Sequence, residues 1–177
     1  MNRQPKSHGD GTYHLSDFKK VGPGVVFEKN VLVFHPENIT IGENVYIGHN
    51  TTLKGYYKNE LIIGRDTWIG QNCFFHSAGG LFIGSSVGIG PCVKIITSFH
   101  VDENTSIPLI ENPLQFKPVS IGVGADIGIG SIIMPGNKIG VGAIVGAGSV
   151  VTKDVPDYAV AAGIPAKIIR YRKEKCQ

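Results

Sequence analysis

The 177-residue chain has three cysteines, Cys73, Cys92 and Cys176, widely spaced and with no C-x-x-C pair. That scarcity argues against a disulfide framework or a cysteine zinc site and fits reduced thiols. No run approaches the roughly 18 apolar residues that a membrane span requires, so no transmembrane segment is expected. The opening MNRQPKSHGDG is polar and has no apolar core, so no signal peptide is expected and the predicted location is the cytoplasm. An excess of one charge is missing too. The net charge is +3, too mild to make nucleic acid the main partner.

Glycine is abundant instead: 24 residues, about twice the usual share. They fall at periodic positions. From Ile121 to Val155 every sixth residue is branched and apolar: Ile121, Ile127, Ile133, Ile139, Val145 and Val151. In a chain with 42% apolar residues, six such hits in one phase arise by chance in under about 1% of trials. Small residues precede the anchors by two places (Ala125, Ser131, Asn137, Ala143, Ser149), the spacing of one strand face. Gly122, Gly128, Gly140 and Gly146 follow anchors directly, where they are expected to let the backbone turn. A short strand and a bend, repeated, make a β-solenoid.

The repeat starts at Val21 and continues through Phe27, Val33 and Ile39, after a polar segment in which Phe18 and Leu15 are expected to seal the first coil. It restarts at the phrases ITIG, LIIG, LFIG and VSIG. Ile41 to Ile63 spans 22 residues, Ile63 to Ile83 spans 20, and Ile121 to Ile139 spans 18. Three hexads per coil account for these spans, with small corner insertions. Ile83 to Ile121 spans 38, one coil plus the loop TSFHVDENTSIPLIENPLQFKP. Long loops on rigid scaffolds carry function, and the apolar residues of this one predict that it packs on something. The expected organisation is a cap over 1–20, a solenoid over 21–156 with the loop at 97–118, and a C-terminal segment over 157–177.

These repeats, the segment GPCVKIITSFH with its loop, and the ending VGAGSVVTKDVPDYAVAAGIPAKIIR resemble the hexapeptide-repeat acyltransferases. The likeness covers roughly residues 21–170 and is strongest to sugar O-acetyltransferases of the galactoside, maltose and surface-polysaccharide kinds. It implies an all-β, left-handed parallel β-helix, a homotrimer with sites between subunits, and acetyl-CoA as co-substrate. It also implies an acetyltransferase acting on a hydroxyl or amine of a sugar or nucleotide-sugar, in surface polysaccharide biosynthesis.

The resemblance makes His100 the candidate base, since it lies 16 residues after Gly84 at the loop entrance. Acetyl transfer needs a group that takes the acceptor's proton, and imidazole suits that work near neutral pH. Asp102 or Glu103 is a candidate to orient the ring. For the coenzyme, the likeness implies Ala147 and Gly148 along the pantetheine, Thr152 and Lys153 near the nucleotide, and Lys167 and Arg170 at the phosphates. His76, which precedes SAGG, and Asp126, where galactoside enzymes carry an aromatic residue, are candidates for the acceptor. The Asn and Asp that bind sugar in the galactoside enzymes correspond to Gly70 and Ala78, which argues against that acceptor.

Two other classes remain open at this point. The solenoid also resembles γ-class carbonic anhydrase, but that zinc site needs a close histidine pair, and the gaps between His35, His49, His76 and His100 are 14, 27 and 24. No metal is therefore expected. A non-catalytic oligomerisation scaffold would need neither the loop histidine nor the coenzyme ending.

Overall fold

The computed structural model describes residues 6–56 and 58–173. The chain winds into a parallel β-helix of about seven turns with a triangular section. Each coil contributes one strand to each of three faces, here A, B and C. Face A carries Lys20–Val21, Ile39–Ile41, Leu61–Ile63, Leu81–Ile83, Val119–Ile121 and Lys138–Ile139. Face B runs from Val26–Phe27 to Ile144–Val145 and ends on the hairpin Ala159–Gly163 and Ala166–Tyr171. Face C runs from Leu32–Phe34 through Thr52–Lys54, Phe74–His76 and Lys94–Ile95 to Val150–Val151.

The hexad anchors stack in register down the helix. Ile41 pairs with Ile63, Ile63 with Ile83, Ile83 with Ile121, and Ile121 with Ile139. All of these are buried, as are Ile47, Leu53, Ile69, Phe75, Ile89, Ile95, Ile127 and Val151. Burying one such side chain stabilises the fold by about 1.5–3 kcal/mol, so the core is a stack of repeated, similar contributions. The small residues two places before the anchors also point inward. Their hydroxyls accept the task of capping corner carbonyls: Thr51 Oγ1 donates to Gly70 O at 3.0 Å, Thr67 Oγ1 to Gly84 O at 3.1 Å, and Ser131 Oγ to Gly146 O at 3.0 Å.

The glycines after the anchors have a different purpose from the one expected. Gly122, Gly128, Gly140 and Gly146 do not adopt left-handed backbone. They lie where successive coils touch: a Cβ at Gly128 would sit 2.5 Å from Ala147 N, and one at Gly122 would sit 2.5 Å from Val141 N. Left-handed geometry falls two residues later, at Gly124, Gly130, Gly142 and Gly148, and in earlier coils at Asn30, Asn44, Asn50, Asp66 and Asn72. Asn and Asp tolerate that region better than other side chains, and here they bond along the corner, Asn44 Nδ2 to Asp66 Oδ1 at 2.9 Å.

Phe18 closes the first coil, buried against Tyr13 and Phe27 with ring centroids 5.6 Å apart in both pairs. Leu15 does not share the task. It is 60% exposed, and Tyr13 fills the place expected for it.

Two of the three corners, A to B and B to C, repeat regularly. The third, from face C to the next face A, holds every irregular insertion: HPEN, KGYYKNE, HSAGG and the long loop. The loop is a hairpin, with Ser98–His100 antiparallel to Leu114–Phe116. Its base is closed by Lys117 N to Thr97 O at 2.9 Å and pinned to the solenoid by Gly79 N to Thr97 Oγ1 at 2.8 Å. Leu109 and Ile110 at its tip are about 60% exposed, so within one chain the expected packing of the loop extends only to its base. No helix of the described residues is long and apolar enough to cross a membrane.

Candidate active site

Side chains alternate across a strand, so Ser98, His100, Leu114 and Phe116 share one face of the hairpin while Phe99 and Gln115 face away. Exposure agrees: the first four are half-buried, the other two exposed. Phe116 turns back onto the solenoid, with its ring centroid 6.4 Å from that of Tyr56. Tyr56 in turn meets His76 edge-on at 5.4 Å, and His76 stacks on Phe74 at 6.4 Å with 9° between the planes. The irregular corner thus brings the KGYYKNE insertion, His76 and the face of the hairpin that carries His100 together.

His100 Nδ1 lies 2.8 Å from the main-chain carbonyl of Asn112. A carbonyl only accepts, so Nδ1 carries the proton and Nε2 keeps its lone pair. Asn112 is itself fixed. Its side chain is buried, Nδ2 donates to Asn104 O at 3.1 Å, and its N–H donates to Leu109 O at 3.1 Å. The orienting group is therefore this carbonyl. Asp102 and Glu103, the candidate carboxylates, are exposed on the loop. A main-chain acceptor leaves no mark on residue type, and only the turn that presents it could have revealed it.

His76 occupies a drier place. Burial foremost, then the charges of Lys54 and His8, push its pKa down to about 4, because each disfavours the imidazolium. The remaining histidines lie elsewhere: His8, His14 and His49 are exposed, His35 is half-buried, and His35 and His49 lie 3.1 and 3.4 Å from Glu37 and Glu28. Among the described residues no three His, Cys, Asp or Glu side chains converge as a metal would need. The Cys73 thiol is buried and pushed up to about 11 by that burial, with Sγ against Gly90 O at 3.3 Å. It is a core residue.

The residues assigned to the coenzyme lie at the C-terminal end of the helix. Ala147 and Gly148 form the exposed corner between faces B and C, and nothing lies within 4 Å of where a Cβ on Gly148 would be. Gly163, at the hairpin turn, reaches the same corner through Gly163 N to Ser149 Oγ at 3.1 Å. Thr152 and Lys153 follow Val150–Val151 at the other end of that strand, on the corner from which the long loop departs two coils earlier. Lys167 and Arg170 are exposed on the edge strand Ala166–Tyr171. Among the described residues none of Lys153, Lys167 and Arg170 is engaged in an ion pair. Asp126 lies on face B, exposed, between Gly88 and Ile144 in register. Face B is not the face of His76, and one chain alone does not bring these two acceptor candidates together. Lys54 and Tyr56 belong to KGYYKNE and Phe116 to the long loop, the two segments that the sequence already suggests as readers of the acceptor.

No protein-family model matches the chain. Nodulation protein L of Rhizobium meliloti (strain 1021) is 43% identical over 113 residues, 63% of this chain and 60% of that protein, so the chain spans less than two thirds of this relative. Galactoside O-acetyltransferase of Escherichia coli (strain K12) is 30% identical over 167 residues, 94% of this chain and 79% of its own length. A solved mutant of AntD, an N-acyltransferase from Bacillus cereus in complex with dTDP and coenzyme A, superposes with a TM-score of 0.81 at 25% identity, covering 95% of this chain and 94% of that one. The galactoside relative and the superposed structure are acyltransferases. The chain belongs to the hexapeptide-repeat acyltransferase family.

Proposed function

We propose that the protein transfers an acetyl group from acetyl-CoA to a hydroxyl or amine of a sugar or nucleotide-sugar, with His100 as general base. The observation that carries this is the 2.8 Å contact between His100 Nδ1 and the Asn112 carbonyl, which leaves Nε2 as a positioned acceptor of protons. Acetyl-CoA supplies the thioester carbonyl and a sulfur leaving group. His100 takes the acceptor's proton at Nε2 as the acceptor oxygen or nitrogen attacks that carbonyl, and returns it to the sulfur as the carbon–sulfur bond breaks. Holding base and acceptor together also removes part of the entropic barrier.

The open corner at Ala147 and Gly148 suits a narrow pantetheine arm. Thr152, Lys153, Lys167 and Arg170 offer hydrogen-bond donors, three of them cationic, for the phosphates. A homotrimer is part of the same reading. Leu109, Ile110 and Trp68 are exposed, and a neighbouring copy would cover such surface and set its own Asp126 and coenzyme corner against this chain's loop. The galactoside relative and the neighbour that holds dTDP and coenzyme A support a sugar or nucleotide-sugar acceptor. A cytoplasmic place in surface polysaccharide synthesis fits such an acceptor. The reading is tested by incubating the protein with acetyl-CoA and a panel of sugars and nucleotide-sugars while following free thiol. Thiol release with at least one acceptor is expected, and no release with any would reject the reading.

A further inference from the structure

We infer that the acceptor is an anion, a sugar bearing a phosphate or carboxylate, and that Lys54 selects it; the inference rests on the acyltransferase reading above. On the outward side of face C, Phe34, Lys54 and His76 lie on consecutive strands in register. Lys54 Nζ is 5.9 Å above the Phe34 ring, and the side chain is half-buried. Lys58 Nζ adds a second positive charge 5.4 Å above the Phe116 ring.

Two acids of this corner are committed elsewhere. Glu60 is bound to Lys19, and Glu37 lies 3.1 Å from His35. Among the described residues no carboxylate forms an ion pair with Lys54. The corner therefore holds an ammonium without a counter-ion, a second cation, a neutral imidazole and three rings, those of Phe34, Tyr56 and Phe116.

A partly desolvated cation gains most from an incoming oxyanion, because the pair forms where water screens it least. The rings of Tyr56 and Phe116 offer apolar faces on which a sugar or base can lie. A neutral glycoside would use those faces and leave Lys54 unpaired. Phosphate and carboxylate share the chemistry Lys54 requires, and the two differ only in the source of the charge.

The test is calorimetric titration of the full chain, with coenzyme A present at saturation so that its own site is filled. The probes are thymidine diphosphate, methyl glucuronide and neutral methyl galactoside. At least one anion is expected to bind about tenfold more tightly than the galactoside, the difference one charge-assisted contact makes. Lys54→Gln should remove that advantage and leave coenzyme A affinity unchanged, while Lys54→Arg should keep it. Which anion binds distinguishes phosphate from carboxylate.

Equal affinity for all three probes, no binding of either anion, or undiminished anion binding by a folded Lys54→Gln would overturn the inference. Failure of the acyltransferase reading shows separately, as absence of coenzyme A binding in the same instrument. The anion titration can then be repeated without coenzyme.

Discussion

His100 and Asn112 are joined by a 2.8 Å contact between the ring Nδ1 and a main-chain carbonyl, and through it the shape of a hairpin sets the tautomer of the proposed base. Asn112 makes that carbonyl available because its own amide is tied to Asn104 O. Replacing Asn112 by Ala removes the amide contact and leaves the Asn104 carbonyl without it, so the turn loosens at a cost of about 1 kcal/mol. Turnover should fall by roughly tenfold or more with acetyl-CoA KM nearly constant, because the defect lies in the aim of the base. A merely structural role would lower the melting temperature and leave the turnover of the folded protein unchanged.

Coenzyme binding should follow charge at the other end of the helix. Lys153, Lys167 and Arg170 are exposed, so their attraction for phosphates is open to screening by salt. Affinity for acetyl-CoA should weaken from low to high ionic strength. The double variant Lys153→Glu, Lys167→Glu should bind at least tenfold more weakly and lose most of that salt dependence. Fluorescence or calorimetric titration measures both.

The corner glycines separate two physical roles in one experiment. Gly128→Ala places a methyl 2.5 Å from the backbone nitrogen of Ala147, where no side chain can move aside, while Gly130→Ala meets nothing within 4 Å but must hold a φ of +70°. The second change should cost about 1–2 kcal/mol of left-handed strain, and Gly130→Asn less, since earlier coils already use Asn at that corner. Gly128→Ala should cost more than either, because the coil spacing itself must open. Thermal unfolding of the three variants should rank them in that order.

His76 should make stability depend on acid. Its folded pKa is about 4 against an ordinary 6.5, chiefly through burial. Between those values the unfolded chain binds the proton and the folded chain does not, so stability rises with pH across the window. The contribution is fully present above about 6.5 and is lost as pH falls toward 4. His76→Gln should flatten the slope of melting temperature against pH in that window. An unchanged slope would show that His76 does not stay neutral in the folded protein.

Much of the fold could be read from residue order because each anchor obeys the same rule: Ile63 is buried for the same reason as Ile83 and Ile121, and the spacings that separate them are the coil lengths themselves. The glycines were legible as a pattern but not as a mechanism. Gly122 and Gly124 look alike in sequence, and only the distance to the next coil tells one from the other. Leu15 and Tyr13 compete for the same cap, and an apolar residue lost the place to an aromatic one that meets both Phe18 and Phe27. At the site, His100 stands out as a candidate from its place at the loop entrance. Its partner does not, because a backbone carbonyl belongs to every residue. Tyr56 and Phe116 are 60 residues apart, and only the return of the hairpin onto the second coil makes them neighbours.

The most direct test of the account is turnover by His100→Ala. The residue lies outside the hexad ladder, so its removal opens no cavity in the core and forfeits one hydrogen bond, at about 1 kcal/mol. Thiol release from acetyl-CoA with a competent acceptor should fall by roughly 10²–10⁴-fold, with coenzyme affinity and the far-ultraviolet spectrum of the folded protein intact. Wild-type turnover by a folded His100→Ala protein would contradict the assignment of His100 as the base.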